Sequence, residues 1–398
     1  MQRTKLVSNL LLFAAVSLIV CAALAAPASA ANLTVGAGGQ YNTVQQAVDA
    51  ANAGDTVLVA PGTYTENVVV NKPLTITGNA TVQAADSGKD VFVVTSQGVH
   101  IDGLTLTGGA SGVDVANASS CVITNINAHG NVRGVYLAFA TNSEVRNSNL
   151  SNNGYGVYCD YATSNTISNN VATGEKGNGV ALGDGIYVFY SDSNTVSDND
   201  LSANHVYGIS LYHSSNNTVT GNTINQNEYF GVRFRESDNN TFTFNTIRAN
   251  VQLGVLIIQT TNHQIYLNNF IDQPTAMSGA AEVKLDSPQA MAYTYNGTAR
   301  TGYMGNYYSD YKGTDSNGTG IGSTPSAYGD KYPLIQPVAS YGTVLPASAV
   351  TSAPSLATTA SGNQSNTGTG LPGFEAAYAV AGFAIVAIVL LGKRYRAK

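Results

Sequence analysis

Tryptophan is absent from the 398 residues, and methionine (4) and cysteine (3) are scarce. Charged side chains make up only 11% of the chain. The cysteines give no basis for a disulfide. Cys121 and Cys159 fall at different offsets of the repeat described below, so each reads as a small buried hydrophobe. Lys and Arg number 18 against 24 Asp and Glu. Six of the basic residues (Arg3, Lys5, Lys393, Arg394, Arg396, Lys398) sit at the extreme ends, so the body between them is acidic. Nucleic acid is thereby a poor partner, because phosphate binding needs clustered Lys and Arg. Histidines His100, His129, His205, His213 and His263 are scattered, and Met277, Met291 and Met304 are not paired with them, which argues against a copper cluster. Gly, Asn, Ser, Thr and Tyr fill the gap, a composition that suits short strands joined by polar turns.

What the chain does have is one repeated line. GVDV, GVYL, GVYC, GIYV, GISL, GVRF and GVLI begin at Gly112, Gly134, Gly156, Gly185, Gly208, Gly231 and Gly254. The step is 22 or 23 residues, except for 29 between Gly156 and Gly185. Counting Gly as zero, offsets +1 and +3 are apolar, as are +11 (Val145, Ile167, Val196, Val219, Phe242, Ile265) and most of +16. Asn recurs at +9 (Asn165, Asn194, Asn217, Asn240) and at +14 (Asn170, Asn199, Asn222, Asn245, Asn268). One such unit cannot bury a core, but stacked units can, with their Asn side chains in amide ladders. The pattern predicts an all-β protein, a single right-handed parallel β-helix with coils of about 22–23 residues rising about 4.8 Å each.

Both ends read as processing or anchoring segments. Residues 1–30 have a basic start, an apolar run and Ala-Ser-Ala, which is a secretory signal. Residues 31–78 form an N-terminal helix cap and entry coil, with Val44, Ala47, Val48 and Ala51 on one helix face. Coils are expected over 79–299, a closing cap over 300–338, and a Ser/Thr/Ala-rich linker over 339–370. Residues 371–398 hold Pro372-Gly373-Phe374, an apolar run from Ala376 to Leu391 that is short but usable as a transmembrane helix, and a basic end.

Three resemblances follow from these motifs. The tail from Pro372 resembles the PGF-CTERM sorting signal of archaeal surface proteins, which implies processing by an archaeosortase and anchoring at the outer face of the membrane. The stretch Tyr41 to Gly78 resembles the entry coil of pectin-lyase-like β-helices. Residues from Tyr41 to Pro333, including Gly305-Asn306-Tyr307-Tyr308 and the Gly313–Gly322 run, resemble the surface β-helix family named after NosD, a nitrous-oxide-reductase maturation factor. That family usually has Trp where this chain has Tyr308. It lies among carbohydrate-binding and sugar-hydrolysing β-helices, and the resemblance implies a glycan or envelope polymer as partner.

Any function must be written at the outward offsets. Offset +2 holds Asp114, Tyr136, Tyr158, Tyr187, Ser210, Arg233 and Leu256, and offset +4 holds Asp160, Phe189, Tyr212 and Arg235. The next position adds Phe139, Tyr161, Tyr190, His213 and Glu236. Aromatic faces cover sugar C–H surfaces while carboxylates, Arg and His hold hydroxyls. Tyr136, Tyr158, Asp160, Tyr187, Phe189, Tyr212, His213, Arg233, Arg235 and Glu236 are therefore the expected ligand-binding set, with stability from stacking alone as the alternative. Extra chain near Glu175-Lys176-Gly177-Asn178 is expected to overhang this face.

Catalysis is left open, with the balance against it. Asp160 and Asp184, on adjacent coils, are the candidate carboxylate pair of a hydrolase. Arg233, Arg235, Tyr212 and His213 are the candidates for a lyase or epimerase. No tight motif accompanies either set. Asp315, Asn317 and Thr319 alternate as in a calcium loop but lack a closing Glu, so calcium there is a weak expectation. N-glycosylation sequons begin at Asn32, Asn79, Asn117, Asn149, Asn216, Asn239, Asn296, Asn317 and Asn363.

Overall fold

The computed structural model describes residues 30–177, 183–279 and 283–350. The expected signal peptide, the transmembrane helix and its sorting signal lie outside the described residues. Among those described, no helix is long and apolar enough to cross a membrane.

The chain folds into a right-handed parallel β-helix. A twelve-stranded parallel sheet runs from Asn32–Val35 to Val283–Lys284. A ten-stranded sheet holds the seven Gly-led strands, from Ser111–Ala116 to Leu253–Ile258. The third wall consists of two four-stranded stretches linked by single bridges such as Asn149↔Val171 and Val171↔Asp200. In-register pairing puts Val135, Val157, Ile186, Ile209, Val232 and Val255 in one column. The inward offsets are buried as their pattern requires: Val157, Cys159, Ile186, Val188, Ile209 and Leu211 are all fully buried. Cys121 and Cys159 are buried free thiols.

Glycine leads each strand because there is no room for anything larger. A Cβ on Gly185 would stand 2.7 Å from Gly208 O and 2.8 Å from the amide of Asn204. One on Gly208 would stand 2.5 Å from Ile224 Cγ2.

The expected Asn ladders form at both offsets. Asn217 Nδ2 donates to Ser191 O (3.0 Å) on the preceding coil, while its own backbone amide donates to Asn240 Oδ1 (2.8 Å) on the next. Asn222 repeats this with Val196 O and Asn245 Oδ1. Each column ends in a different residue: His263 receives Asn240 N at 3.2 Å, and Asn306 receives Asn268 Nδ2 at 3.0 Å. Burial lowers the His263 pKa to about 4, which keeps the ring neutral as an acceptor.

A third ladder stands at offset +19: Asn131, Asn153, Glu175, Asn204, Asn227 and Asn250. Glu175 is thus a buried rung and not the start of an overhang; residues 178–182, where the rest of that loop falls, lie outside the described residues. Asn153 N donates to Glu175 Oε2 at 2.6 Å, and burial pushes the carboxyl up to about 9. The carboxyl supplies the acceptor of an amide rung, while its Oε1 is buried with no protein partner.

Both ends are closed. Helix Val44–Ala50 lays Val44, Ala47 and Val48 over the first coil, with Thr43 accepting from Gln46 N and Glu66 accepting from Val44 N and Gln45 N. At the other end Asn306 finishes the +14 ladder, Tyr308 stacks on Phe270 (5.3 Å), and buried Asp330 accepts from Asn306 N (2.7 Å). An antiparallel sheet of Met291–Tyr295, Thr298–Gly302 and Gly342–Pro346 flanks this cap. The expected linker therefore starts later than residue 339, and the hairpin starts inside the span assigned to coils. Tyr293, Tyr295 and Tyr341 hold it as a small second core.

Asn222→Ala should lower the unfolding free energy by about 2–4 kcal/mol, since it strands buried backbone partners on two coils. Asn216→Ala, on an exposed turn before Asn217, loses only the left-handed preference of Asn (φ 59°) and should cost about 1 kcal/mol or less; urea titration of both variants checks this. For Glu175 the folded pKa (about 9) exceeds its ordinary 4.5, so the folded state binds the extra proton between those values. Its contribution is fully present below pH 4.5 and is lost as pH rises towards 9, by up to about tenfold in the unfolding constant per pH unit. Glu175→Gln should remove that slope, read from denaturation midpoints between pH 5 and 9.

Candidate functional site

The register places the outward offsets as adjoining columns on the ten-stranded sheet. Tyr136, Tyr158 and Tyr187 are direct neighbours, followed by Ser210 and Arg233. Their ring centroids lie 5.4 and 5.0 Å apart. Phe189 and Tyr212 form the next column, 5.6 Å apart, and Phe189 is also 5.8 Å from Tyr187. The five aromatics make one continuous, half-buried surface.

A further column stands beside these, and of its members only Asp184 is singled out by the sequence. Arg133, Tyr155, Asp184 and Tyr207 each precede the Gly of their strand. The Tyr155 ring is 5.3 Å from Tyr158 and 5.6 Å from Tyr187, and the Arg133 guanidinium lies 4.3 Å over Tyr136. The residue before each glycine was the available signal. Strict alternation does not assign it outward, because the Gly-led start of the strand breaks that alternation.

Polar groups flank the aromatic surface. Tyr136 Oη donates to Asp160 Oδ2 at 2.7 Å, while Asp160 Oδ1 is buried with no protein partner. Arg133 Nε and Nη1 are likewise buried and unpaired within the protein. Asp114 Oδ1 is in the same condition; burial and nearby Asp90 raise that carboxyl to about 7, against the pull of Arg133. At the other end Arg233 Nε donates to Ser210 Oγ (2.9 Å) and its guanidinium lies 4.5 Å over Tyr207. Arg235 sits 5.0 Å over Tyr212 and donates to Glu236 Oε1 (3.1 Å), whose Oε2 is 3.0 Å from His213 Nε2. Burial raises the Tyr158 phenol to about 12, so it stays a neutral donor.

Asp160 and Asp184 do not form a pair. Phe189 faces Asp160 across the ladder, whereas Tyr155 faces Asp184, so the two carboxylates sit at opposite ends of neighbouring strands. Five residues at about 3.3 Å rise separate them by roughly 16 Å along the strand, too far for paired-carboxylate hydrolysis. Asp184 is buried, held at about 7 by that burial against the attraction of Arg233, and accepts from Tyr207 N (3.3 Å). Far away, Asp315 accepts from Thr319 N (2.9 Å) and Gly320 N (2.7 Å), which closes that loop on its own backbone.

A family model described as periplasmic copper-binding protein (NosD) matches residues 48–184 and 181–313. A cell surface glycoprotein of Methanothermus fervidus is 36% identical over 89 residues, 21% of this chain and 15% of that protein. The chain thus spans only a small part of that relative. An alginate lyase from Paenibacillus sp. str. FPU-7 superposes with a TM-score of 0.50 at 16% identity, covering 64% of this chain and 97% of the lyase. The Dettilon tailspike protein gives 0.50 at 17% identity, covering 57% and 54%. At these identities the likeness is one of fold alone.

The donors for copper are not assembled. Among the described residues no three His, Cys, Asp or Glu side chains come together as a metal site. Cys121 and Cys159 are buried on different columns, His263 caps an amide ladder, and His205 and His213 are engaged with Glu228 and Glu236. These residues do not fit a copper ion.

Proposed function

The chain belongs to the NosD family, and on that premise we propose that it is a cell-surface β-helix that binds carbohydrate along the Gly-led face. The observation that carries this is the pairing of the aromatic surface with unspent polar groups. Buried Asp160 Oδ1 and the buried nitrogens of Arg133 flank Tyr136 and Tyr158 with no protein partner. A buried acceptor and donor left open beside an aromatic floor suit the hydroxyls and C–H face of a sugar. The acidic body and the secretory and PGF-type segments support display outside the cell, held by the C-terminal tail. The Methanothermus fervidus relative, a cell surface glycoprotein, supports the same location.

A uronate-polymer lyase or epimerase is the second reading, supported by one observation: buried Asp184, held near 7, lies within reach of Arg233's charge. Loss of product release from a uronate polymer in Asp184→Asn would support it, and no release by the native protein from any such polymer would end it.

Tyr158→Ala and Tyr187→Ala should each weaken oligosaccharide binding about 5–30-fold, equivalent to about 1–2 kcal/mol. Asp160→Asn, which keeps the shape, should weaken it less. Glycan-array screening followed by calorimetry on the best ligand measures both; unchanged affinity in the two Tyr variants would sink the reading.

A further inference from the structure

One position beyond each Gly-led strand the chain turns through a left-handed residue. Asn117, Phe139, Tyr161, Tyr190, His213, Glu236 and Gln259 occupy this column, with φ between 43° and 53°. Each donates its backbone amide to a carbonyl on the following coil, Asn117 to Ala138 and Phe139 to Asp160 at 2.8 Å, Tyr161 to Phe189 at 3.1 Å. Asn takes this conformation readily, whereas rings there are uncommon and carry a cost. Their side chains stack like plates: Phe139 on Tyr161 (5.2 Å, 6°), Tyr161 on Tyr190 (5.1 Å, 7°), Tyr190 on His213 (4.5 Å, 16°). His213 then meets Glu236. Each inner ring is covered by a ring on either side. Phe139 is the exception. Tyr161 covers one face, and the next residue of the column on the other side is Asn117. Phe139 is 52% exposed, against 48% for Tyr161 and 39% for Tyr190, so the column as a whole stands at the surface and the open face of Phe139 is read from the stacking order.

Asn117 is exposed and opens the sequon Asn117-Ala118-Ser119. Matching backbone geometry sets its side chain one coil from Phe139, about 4.8 Å along the axis, where the next plate of the stack would stand. We propose that Asn117 carries an N-linked glycan whose first sugar takes that place, its C–H face against Phe139. The ring stack is then closed at both ends, by the sugar and by Glu236. The proposal rests on the reading that the chain is exported, because that is where glycan transfer would reach it.

In the transfer, Asn117 Nδ2 bonds to the anomeric carbon of a sugar carried on a lipid phosphate. The bond from that carbon to the phosphate oxygen breaks, the amide nitrogen gives up one proton, and the lipid phosphate leaves. Nothing is oxidised or reduced.

Asn216 and Asn239 provide an internal control. They share a column with Ser193 and Asn262, also left-handed, and no ring stands beside them in it. Sugars on those residues have nothing to stack on.

The test uses the full chain from an N-glycosylating secretory host, trimmed by endoglycosidase to single N-acetylglucosamine residues. Peptide mass mapping reads occupancy, and proton spectra read the sugar resonances. The expected result is an occupied Asn117 whose sugar C–H signals are shifted upfield by the Phe139 ring current. That shift should vanish in Phe139→Ala and be absent from sugars on Asn216 and Asn239. Ser119→Ala should remove the shifted set altogether while leaving Asn117 in place. An unoccupied Asn117, with or without sugars elsewhere, overturns the proposal. So does an occupied Asn117 whose signals are unshifted or unchanged by Phe139→Ala. Binding of free oligosaccharide to the Ser119→Ala protein tests the aromatic face by itself. Failure there, with the Asn117 sugar stacked in the native sequence, overturns the function proposed above and leaves this inference standing.

Discussion

The distance between coils governs everything else in this molecule. Backbone pairing and the buried side-chain amides both demand the same rise, and both are satisfied at once. Asn194, Asn217 and Asn240 link coil to coil with bonds of 2.8–3.2 Å. A buried amide left without a partner would cost more than a made one contributes, so each rung is committed to its neighbours. The Gly column is the counterpart of this tightness, since it is where the backbone of one coil comes closest to the next.

With the interior so constrained, the outer face is free to vary. Along one column the residue changes from Asp114 through Tyr136, Tyr158 and Tyr187 to Ser210, Arg233 and Leu256 without disturbing the register. The two ends of the aromatic surface differ in kind. At the Arg233–Arg235 end the charges find partners in Ser210 and Glu236. At the Arg133–Asp160 end they share only Tyr136, and Asp160 Oδ1 and Arg133 Nε and Nη1 are left without a hydrogen-bond partner. Charged groups kept half-buried and unpaired are costly, which makes that end the informative one.

The inward pattern was legible because a coil repeats it at constant offset: Val135, Val157 and Ile186 could be aligned by counting from the glycine. The two Asn ladders were legible for the same reason. The third stands at a constant +19 as well, but Glu175 interrupts its run of Asn. The pairing of Asp160 with Asp184 failed on a different point. Adjacency of coils fixes spacing along the axis only, and the position along the strand keeps the two carboxylates apart. Strand Gly342–Pro346 escaped notice because a Ser/Thr/Ala-rich composition resembles a linker, while its place in the fold comes from Tyr341 and Tyr295 packing far from each other in sequence. Whether the aromatic surface meets a ligand was never a matter of pattern.

The two caps have no counterpart in the repeat, and the coils between them are nearly interchangeable. Helix Val44–Ala50 seals one end, and Asn306 with Asp330 seals the other. A whole coil can therefore be added or removed between them while every inner contact keeps its form. The outer face then behaves as a ruler whose graduations are coils of about 4.8 Å. Its reach can change in whole steps, by duplication or loss of one unit, without redesign of either end.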